Sequence, residues 1–286
     1  MKLRQLIGDF IRKRNPLDIE QIKIPIAGIS SDFTSLRIAH VSDVHIPRTA
    51  ASPREIAAAV QTQNPDLIFL TGDMMDGRSA FDGPKLSLLI GFLLEIAPVY
   101  AISGNHEQKN RKYFRIWKTM LKLRGIHFID NNMMRFEKEG VIFLIVGMKD
   151  TSVKKLFELD LDFLREIEVA EGECLLLLHH KPHLWRAYYP IDAPIPHVIF
   201  SGHAHGGQIG IPFIKRGLIA PNQGFLPKYV SGVYGYSDGS REVISRGLAS
   251  STRPIRVNNR PHIPIVELVS SDENRAKIQD NTSKKR

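Results

Sequence analysis

Short apolar runs alternate, over the first two-thirds of the chain, with longer stretches in which apolar positions recur every three or four residues. SLRIAHVSD and DLIFLTGD read as strands, with SPREIAAAVQTQN between them as a helix. Ser52 is its N-cap, Pro53 occupies the first helical position, and Glu55 stands three residues past the cap, which makes a capping box. The alternation continues with PKLSLLIGFLLEI before VYAISGNH, KYFRIWKTMLKLRG before IHFIDN, and VKKLFELDLDFLREI before CLLLLHH. This order predicts parallel strands joined by crossover helices. RFEKEGVIFLIVGM inserts a hairpin, HVIFSG is a further apolar run, and past residue 205 glycine- and proline-rich segments separate the strand-like runs YVSGVYGY, REVISRGLA and HIPIVELVS.

The most hydrophobic window, LSLLIGFLLEIAPVYAI, contains Glu95 and Pro98, falls short of a membrane span, and reads as a buried helix running into a strand. MKLRQLIGDFIRKRNP lacks the continuous apolar core of a secretory signal. Leu3, Leu6, Ile7, Phe10 and Ile11 fall there at helical spacing among Lys2, Arg4, Arg12, Lys13 and Arg14. The segment reads equally as a basic amphipathic helix for a membrane surface and as a helix docked on its own domain. SSDENRAKIQDNTSKKR is polar and has the composition of a disordered tail. With no internal repeat, heptad pattern or low-complexity linker, the expected organisation is an N-terminal segment over 1–24, one α/β layered domain over 25–270 and a tail over 271–286.

A formal charge of +9 favours anionic partners: nucleic acid, phosphorylated small molecules or an acidic membrane surface. Cys174, the single cysteine, lies in the apolar run CLLLL and reads as a buried thiol, so no intrachain disulfide can form and a reducing compartment fits. The expectation is a cytoplasmic protein, with peripheral attachment at the inner face of the membrane as a variant. There is no P-loop or G-x-G-x-x-G, so nucleotide-dependent phosphoryl transfer and Rossmann redox chemistry have no foothold.

Several strand-like runs end in residue types that bind metal. The first gives Asp43 and His45, the second Asp73, the third Asn105, His106 and Glu107, a later one His179 and His180, and the last His203 and His205. In an open parallel sheet the carboxyl ends of strands share one edge, where ligands bind, so the five clusters are expected to converge. One such pair alone would be a helix cap or a hydrogen-bonded core histidine. A carboxylate can offer one oxygen to each of two cations, Asn a neutral carbonyl oxygen, and imidazoles suit manganese, iron, zinc or cobalt better than magnesium.

The series Asp-x-His, Gly-Asp, Gly-Asn-His-Glu, His, Gly-His-x-His resembles the calcineurin-like metallophosphoesterases over most of the chain. That resemblance implies an α/β/β/α sandwich of two mixed sheets flanked by helices, in a single domain. It also implies two divalent metal ions, manganese foremost. Asp43, His45 and His205 would hold one, and Asn105, His180 and His203 the other. Asp73 would bridge them, and His179 is the fallback for His180, which stands closer to the Pro of HHKP. Two such ions about 3.5–4 Å apart would activate hydroxide for in-line attack on phosphorus. By the same resemblance His106 would sit over the leaving group, oriented by Asp76, whose other reading is a turn residue before Gly77. Arg78 departs from the phosphatase pattern by one position and receives no role.

GHAHGGQ followed by GLASSTRPIRVNNRPHIPIVEL resembles the bacterial phosphodiesterase branch that includes cell-wall-associated members and UDP-2,3-diacylglucosamine pyrophosphohydrolases. In IPFIKRGLIAPNQGFLPKY, apolar residues such as Phe213 interleave with Lys215, Arg216 and Lys228. These four residues are candidate contacts for an amphiphilic phosphodiester or pyrophosphate, lipid-linked or nucleotide-linked; a core-packing loop explains the same pattern. Nucleic acid ranks lower as a substrate, because aromatic and basic residues do not alternate in the single-strand-binding manner. No protein partner can be inferred. The alternative from another class is a binding scaffold that keeps the fold without catalysis.

Overall fold

The computed structural model describes residues 17–49, 51–150, 161–182, 184–210, 217–249 and 256–271. In chain order the first half holds β1 (Asp18–Ile26), β2 (Leu36–Val41), α1 (Pro53–Gln61), β3 (Leu67–Leu70), α2 (Gly83–Leu94), β4 (Val99–Ala101), α3 (Asn105–Lys109), α4 (Arg111–Leu123) and β5 (His127–Phe128). The second half holds β6 (Asn132–Lys138), β7 (Val141–Met148), α5 (Asp162–Arg165), β8 (Cys174–His179), α6 (Trp185–Tyr188), β9 (Val198–Ser201), a 3-10 turn at His205–Gly207, β10 (Ile219–Ala220), β11 (Gly224–Phe225), β12 (Gly232–Gly235), β13 (Arg241–Ile244) and β14 (His262–Ser270).

Two six-stranded mixed sheets result, ordered β1-β14-β2-β3-β4-β5 and β12-β13-β9-β8-β7-β6. Alternation along the strands builds the layers, because successive side chains point to opposite faces. In β3, Leu67 and Phe69 enter the core between the sheets, where Phe143 and Phe200 also lie, while Ile68 and Leu70 meet the outer layer of α1, α2 and α4. In β8, Leu176 and Leu178 face the inter-sheet core, and Leu175 and Leu177 pack with Leu164 and Trp185 of α5 and α6. The architecture is therefore α/β/β/α. The capping box at Ser52 and Glu55 is present, with Glu55 N–H donating to Ser52 Oγ at 3.2 Å and Ser52 N–H to Glu55 Oε2 at 2.7 Å.

The two mixed sheets are those the family resemblance implies: the β6–β7 hairpin starts the second sheet and β8 continues it in parallel beside β7. The structure departs from the chain pattern in two places. Residues 18–24, which the sequence leaves outside the domain, form most of β1, an edge strand parallel to β14 across nine residue pairs from Asp18 to Ile26. The helix expected over VKKLFELDLDFLREI lies partly outside the described residues, and within them only Asp162–Arg165 is helical. The N-terminal segment up to residue 16 and the tail from 272 also lie outside them.

A buried polar network fixes the second sheet to α6. Glu242 on β13 accepts from Ser201 Oγ at 2.8 Å, Trp185 Nε1 at 3.3 Å and Tyr236 OH at 2.5 Å. Burial, only partly offset by those donors, pushes its carboxyl up from 4.5 to about 7. The folded state thus prefers the protonated acid, and this contribution, complete below pH 4.5, is lost as pH rises through 7. Thermal midpoints should therefore fall between these values, and fall less steeply in Glu242→Gln; identical slopes would contradict the assignment.

Candidate metal centre

Five strand ends deliver the centre. Asp43 and His45 follow β2, Asp73 follows β3, Asn105 and His106 open α3 after β4, His180 follows β8, and His203 and His205 follow β9. The strands β2, β3 and β4 belong to one sheet and β8 and β9 to the other, so both sheets present carboxyl ends at a common edge of the sandwich. Asp43, His45, Asp73, His180, His203 and His205 are all buried.

Three groups of ligand atoms each lie within 4.8 Å of one another: Asp43, His45 and His205; Asp73, His180 and His203; and His45, Asp73 and His106. His205 Nε2 is 3.4 Å from Asp43 Oδ1, and His180 Nε2 is 3.4 Å from Asp73 Oδ2. His45 Nε2 lies between the two carboxylates, 3.8 Å from Asp43 Oδ1 and 3.6 Å from Asp73 Oδ2. Asn105 Oδ1 stands 3.2 Å from His180 Nε2.

Backbone carbonyls orient the rings. His180 Nδ1 lies 2.8 Å from Thr71 O and His205 Nδ1 2.9 Å from Ala249 O, which turns each Nε2 toward the carboxylates, the arrangement that metal-binding imidazoles adopt. The backbone itself is held in the left-handed region at Asp43, His45, Asp73, His203 and His205, with φ between 46° and 64°. Such conformations cost about 1–3 kcal/mol each and persist where surrounding structure enforces them, typically at functional sites. Close packing requires glycine beside them. A Cβ on Gly202 would collide with Ser42 Oγ and Asp43 Oδ2, and one on Gly72 would lie 2.5 Å from Gly104 N and 2.9 Å from His180 Nδ1.

The charge balance calls for cations. Burial opposes ionisation of Asp43 and Asp73, yet the surrounding histidines hold both below the usual carboxylate range. Burial pushes His203 well down and His205 to about 3, so both stay neutral, the form that binds metal. His180 is opposed by burial but drawn up to about 10, chiefly by Asp73. Asp43 Oδ1 and both ring nitrogens of His45 are buried without a hydrogen-bond partner. Buried polar atoms normally have partners, and these orphans converge with two carboxylates, so the donor set fits divalent cations.

His106 stands apart in its contacts. Its Nδ1 is 2.8 Å from Asp76 Oδ1, which leaves Nε2 for the cavity, and its backbone N–H donates to Asp73 Oδ1 at 2.7 Å. Burial pushes its imidazole down to about 4 against the pull of Asp73 and Asp76. A cavity of about 230 Å³ opens here, lined by Asp73, Asn105, His106, His203 and His205 together with the cations Arg78, Lys109 and Lys181.

Sequence reasoning missed several supports. Glu107 accepts backbone N–H groups from Asp73 and Gly104, each at 2.8 Å, and from Met75 at 3.1 Å, and so ties two of the strand-end loops together. Glu107 stood visible inside Gly-Asn-His-Glu, but nothing local tells a brace from a ligand. Lys181, buried and paired with Asp150 at 2.8 Å, depends on a partner 31 positions away that no spacing rule reveals. Asn259 Nδ2 donates to His205 O at 2.7 Å and fastens the His-x-His turn. Of the expected substrate contacts, Phe213, Lys215 and Arg216 lie outside the described residues. Lys228 is exposed above the Tyr229 ring and does not line the cavity.

Known proteins similar to this chain identify its family. The family model for calcineurin-like phosphoesterases matches residues 36–207 of the 286. The metallophosphoesterase YkoQ of Bacillus subtilis is 29% identical over 240 residues, spanning 80% of this chain and 82% of that one. The phosphodiesterase YaeI of Escherichia coli is 26% identical over 261 residues, spanning 87% and 88%. Among solved structures, the phosphopantetheinyl hydrolase PptH of Mycobacterium tuberculosis superposes with a TM-score of 0.46 at 13% identity, over 75% of this chain and 89% of that one. The chain belongs to the calcineurin-like phosphoesterase family and is a metal-binding hydrolase.

Proposed function

We propose that the protein is a two-metal phosphodiesterase. Asp43, His45 and His205 would hold one divalent cation and Asn105, His180 and His203 the other, with Asp73 available to both. The observation that carries this reading is the pair of buried donor groups, one around Asp43 and one around Asp73, with His45 Nε2 within 4 Å of a carboxylate oxygen from each. Bound there, the ions, with manganese, iron, cobalt and zinc all suited to the ligands, supply Lewis acidity toward water and phosphoryl oxygens.

The chain's own residues do the rest. Arg78, Lys109 and Lys181 give the cavity a cationic wall for phosphoryl oxygens, and the Asp150 pair keeps Lys181 in place. An entering phosphoryl anion opposes the burial that keeps His106 neutral, so the ring takes up a proton and its Nε2 can hand that proton to the departing oxygen. Asp76 fixes the ring by its contact to Nδ1. The reading of the substrate as a diester rests on the likeness to YaeI. An apolar group on the substrate is favoured by the exposed Ile219, Phe225 and Leu226, which flank the cavity-lining turn at Pro221 and Asn222.

Chelator-stripped protein should leave bis-p-nitrophenyl phosphate intact and recover turnover on addition of manganese, cobalt, iron or zinc. Turnover unaffected by stripping would contradict the proposal. Lys109→Ala should raise KM about tenfold with a smaller change in kcat, because a contact to a non-reacting oxygen is made alike in ground and transition states. A fall in kcat at constant KM would instead make Lys109 part of the chemical step.

A further inference from the structure

The outer face of α4 carries a surface that the metal centre does not use. Arg111, Lys112, Arg115, Lys118, Lys122 and Arg124 occupy fourteen consecutive positions with no carboxylate among them, and all six are exposed. Among the described residues their contacts are with a hydroxyl, with aromatic rings and, through the Lys118 charge, with the carboxylate of Asp130. Arg124 donates to Ser87 Oγ at 2.7 Å, and Lys118 lies over the rings of Phe114 and Phe128. Buried Trp117 and Leu121 anchor the opposite face of the helix in the core.

In the middle of this basic face the chain exposes apolar side chains. Ile116 is 44% and Leu123 82% exposed, and with Thr119 they form a stripe at helical spacing. A groove of about 460 Å³ runs there, lined by Arg115, Ile116, Thr119, Met120, Leu123 and Arg124. Helices that lie in a bilayer interface combine these features, cations for anionic headgroups beside aliphatic side chains that enter the acyl boundary. Nucleic acid would use the cations but leave Leu123 and Ile116 without a role, and the rings that could stack on bases, Trp117, Phe114 and Tyr113, turn toward the core.

We infer that α4 docks the protein on an anionic phospholipid surface, with Leu123 and Ile116 inserted and the six cations facing headgroup phosphates. The inference rests on this surface alone and not on the metal centre. Lys109, which lines the cavity, precedes the first residue of α4 by two positions, so docking holds the cavity near the lipid. No helix among the described residues is long and apolar enough to cross a membrane.

Sedimentation of the full chain with vesicles tests it. The protein should bind vesicles of equal phosphatidylglycerol and phosphatidylcholine and stay in solution with phosphatidylcholine alone. The double variant Arg115→Glu, Lys122→Glu should lower partitioning at least about tenfold, since each headgroup-facing cation contributes about fivefold. Leu123→Ser should lower it as well. These side chains are exposed, and an unchanged thermal midpoint establishes that the variants fold. Lys23→Glu with Arg260→Glu makes the same charge change elsewhere and should leave partitioning close to wild type. Equal loss in both double variants would reduce the effect to net charge and overturn the inference, as would no preference for anionic vesicles. Vesicle binding unaffected by the α4 substitutions, with their effect confined to duplex DNA, would reassign the face to nucleic acid.

Discussion

His106→Ala lowers kcat by about two to four orders of magnitude while bound metal stays at the wild-type level, the range expected for loss of a positioned acid. The ring's Nδ1 is engaged by Asp76 at 2.8 Å, and the other two ligand groups are complete without it. The loss should depend on the leaving group. p-Nitrophenolate departs from its diester without much help from a proton, whereas the alkoxide of an alkyl diester needs one, so the variant should be impaired more on the alkyl substrate. Equal impairment on both would remove the proton-donor role, and loss of metal together with activity would make His106 a ligand, as its proximity to His45 and Asp73 also allows. Asp76→Asn should give a smaller loss with a displaced pH profile, because it acts through the ring it positions.

Asp73→Asn eliminates hydrolysis and lowers metal content together. Among the seven ligand candidates, Asp73 is the one whose carboxylate lies near imidazoles of both groups, 3.4 Å from His180 Nε2 and 3.6 Å from His45 Nε2. The amide keeps the volume and still offers an oxygen to the His106 N–H, but it loses the negative charge that opposes two cations. Elemental analysis of purified variant and wild type reads the first effect, and hydrolysis of bis-p-nitrophenyl phosphate reads the second. Full metal occupancy in Asp73→Asn would contradict a bridging role.

The residues that meet at the centre were legible because each stands at the end of a strong apolar run. The division into two sheets was not legible in the same way. A parallel strand in the first sheet, such as β3, and one in the second, such as β8, have the same fully buried pattern, so periodicity cannot separate them. β1 escaped because DIEQIKIPI places charged and apolar residues alternately on an edge strand, beside a basic segment that drew the boundary too late. The braces Glu107, Lys181 and Asn259 escaped for another reason. Their roles are defined by partners 31 to 54 residues distant in sequence, and a lone polar residue in a loop carries no mark of what it touches. The basic stripe of α4 was visible in KYFRIWKTMLKLRG, but only packing reveals that Trp117 and Leu121 face inward and Leu123 does not.

Metal stoichiometry tests the two-metal centre most directly. Chelator-stripped protein reloaded with manganese, freed of excess metal and measured by elemental analysis should carry two ions per chain, with hydrolysis of bis-p-nitrophenyl phosphate rising in step with occupancy to that value. One ion per chain at full activity, or full activity with none, would contradict it.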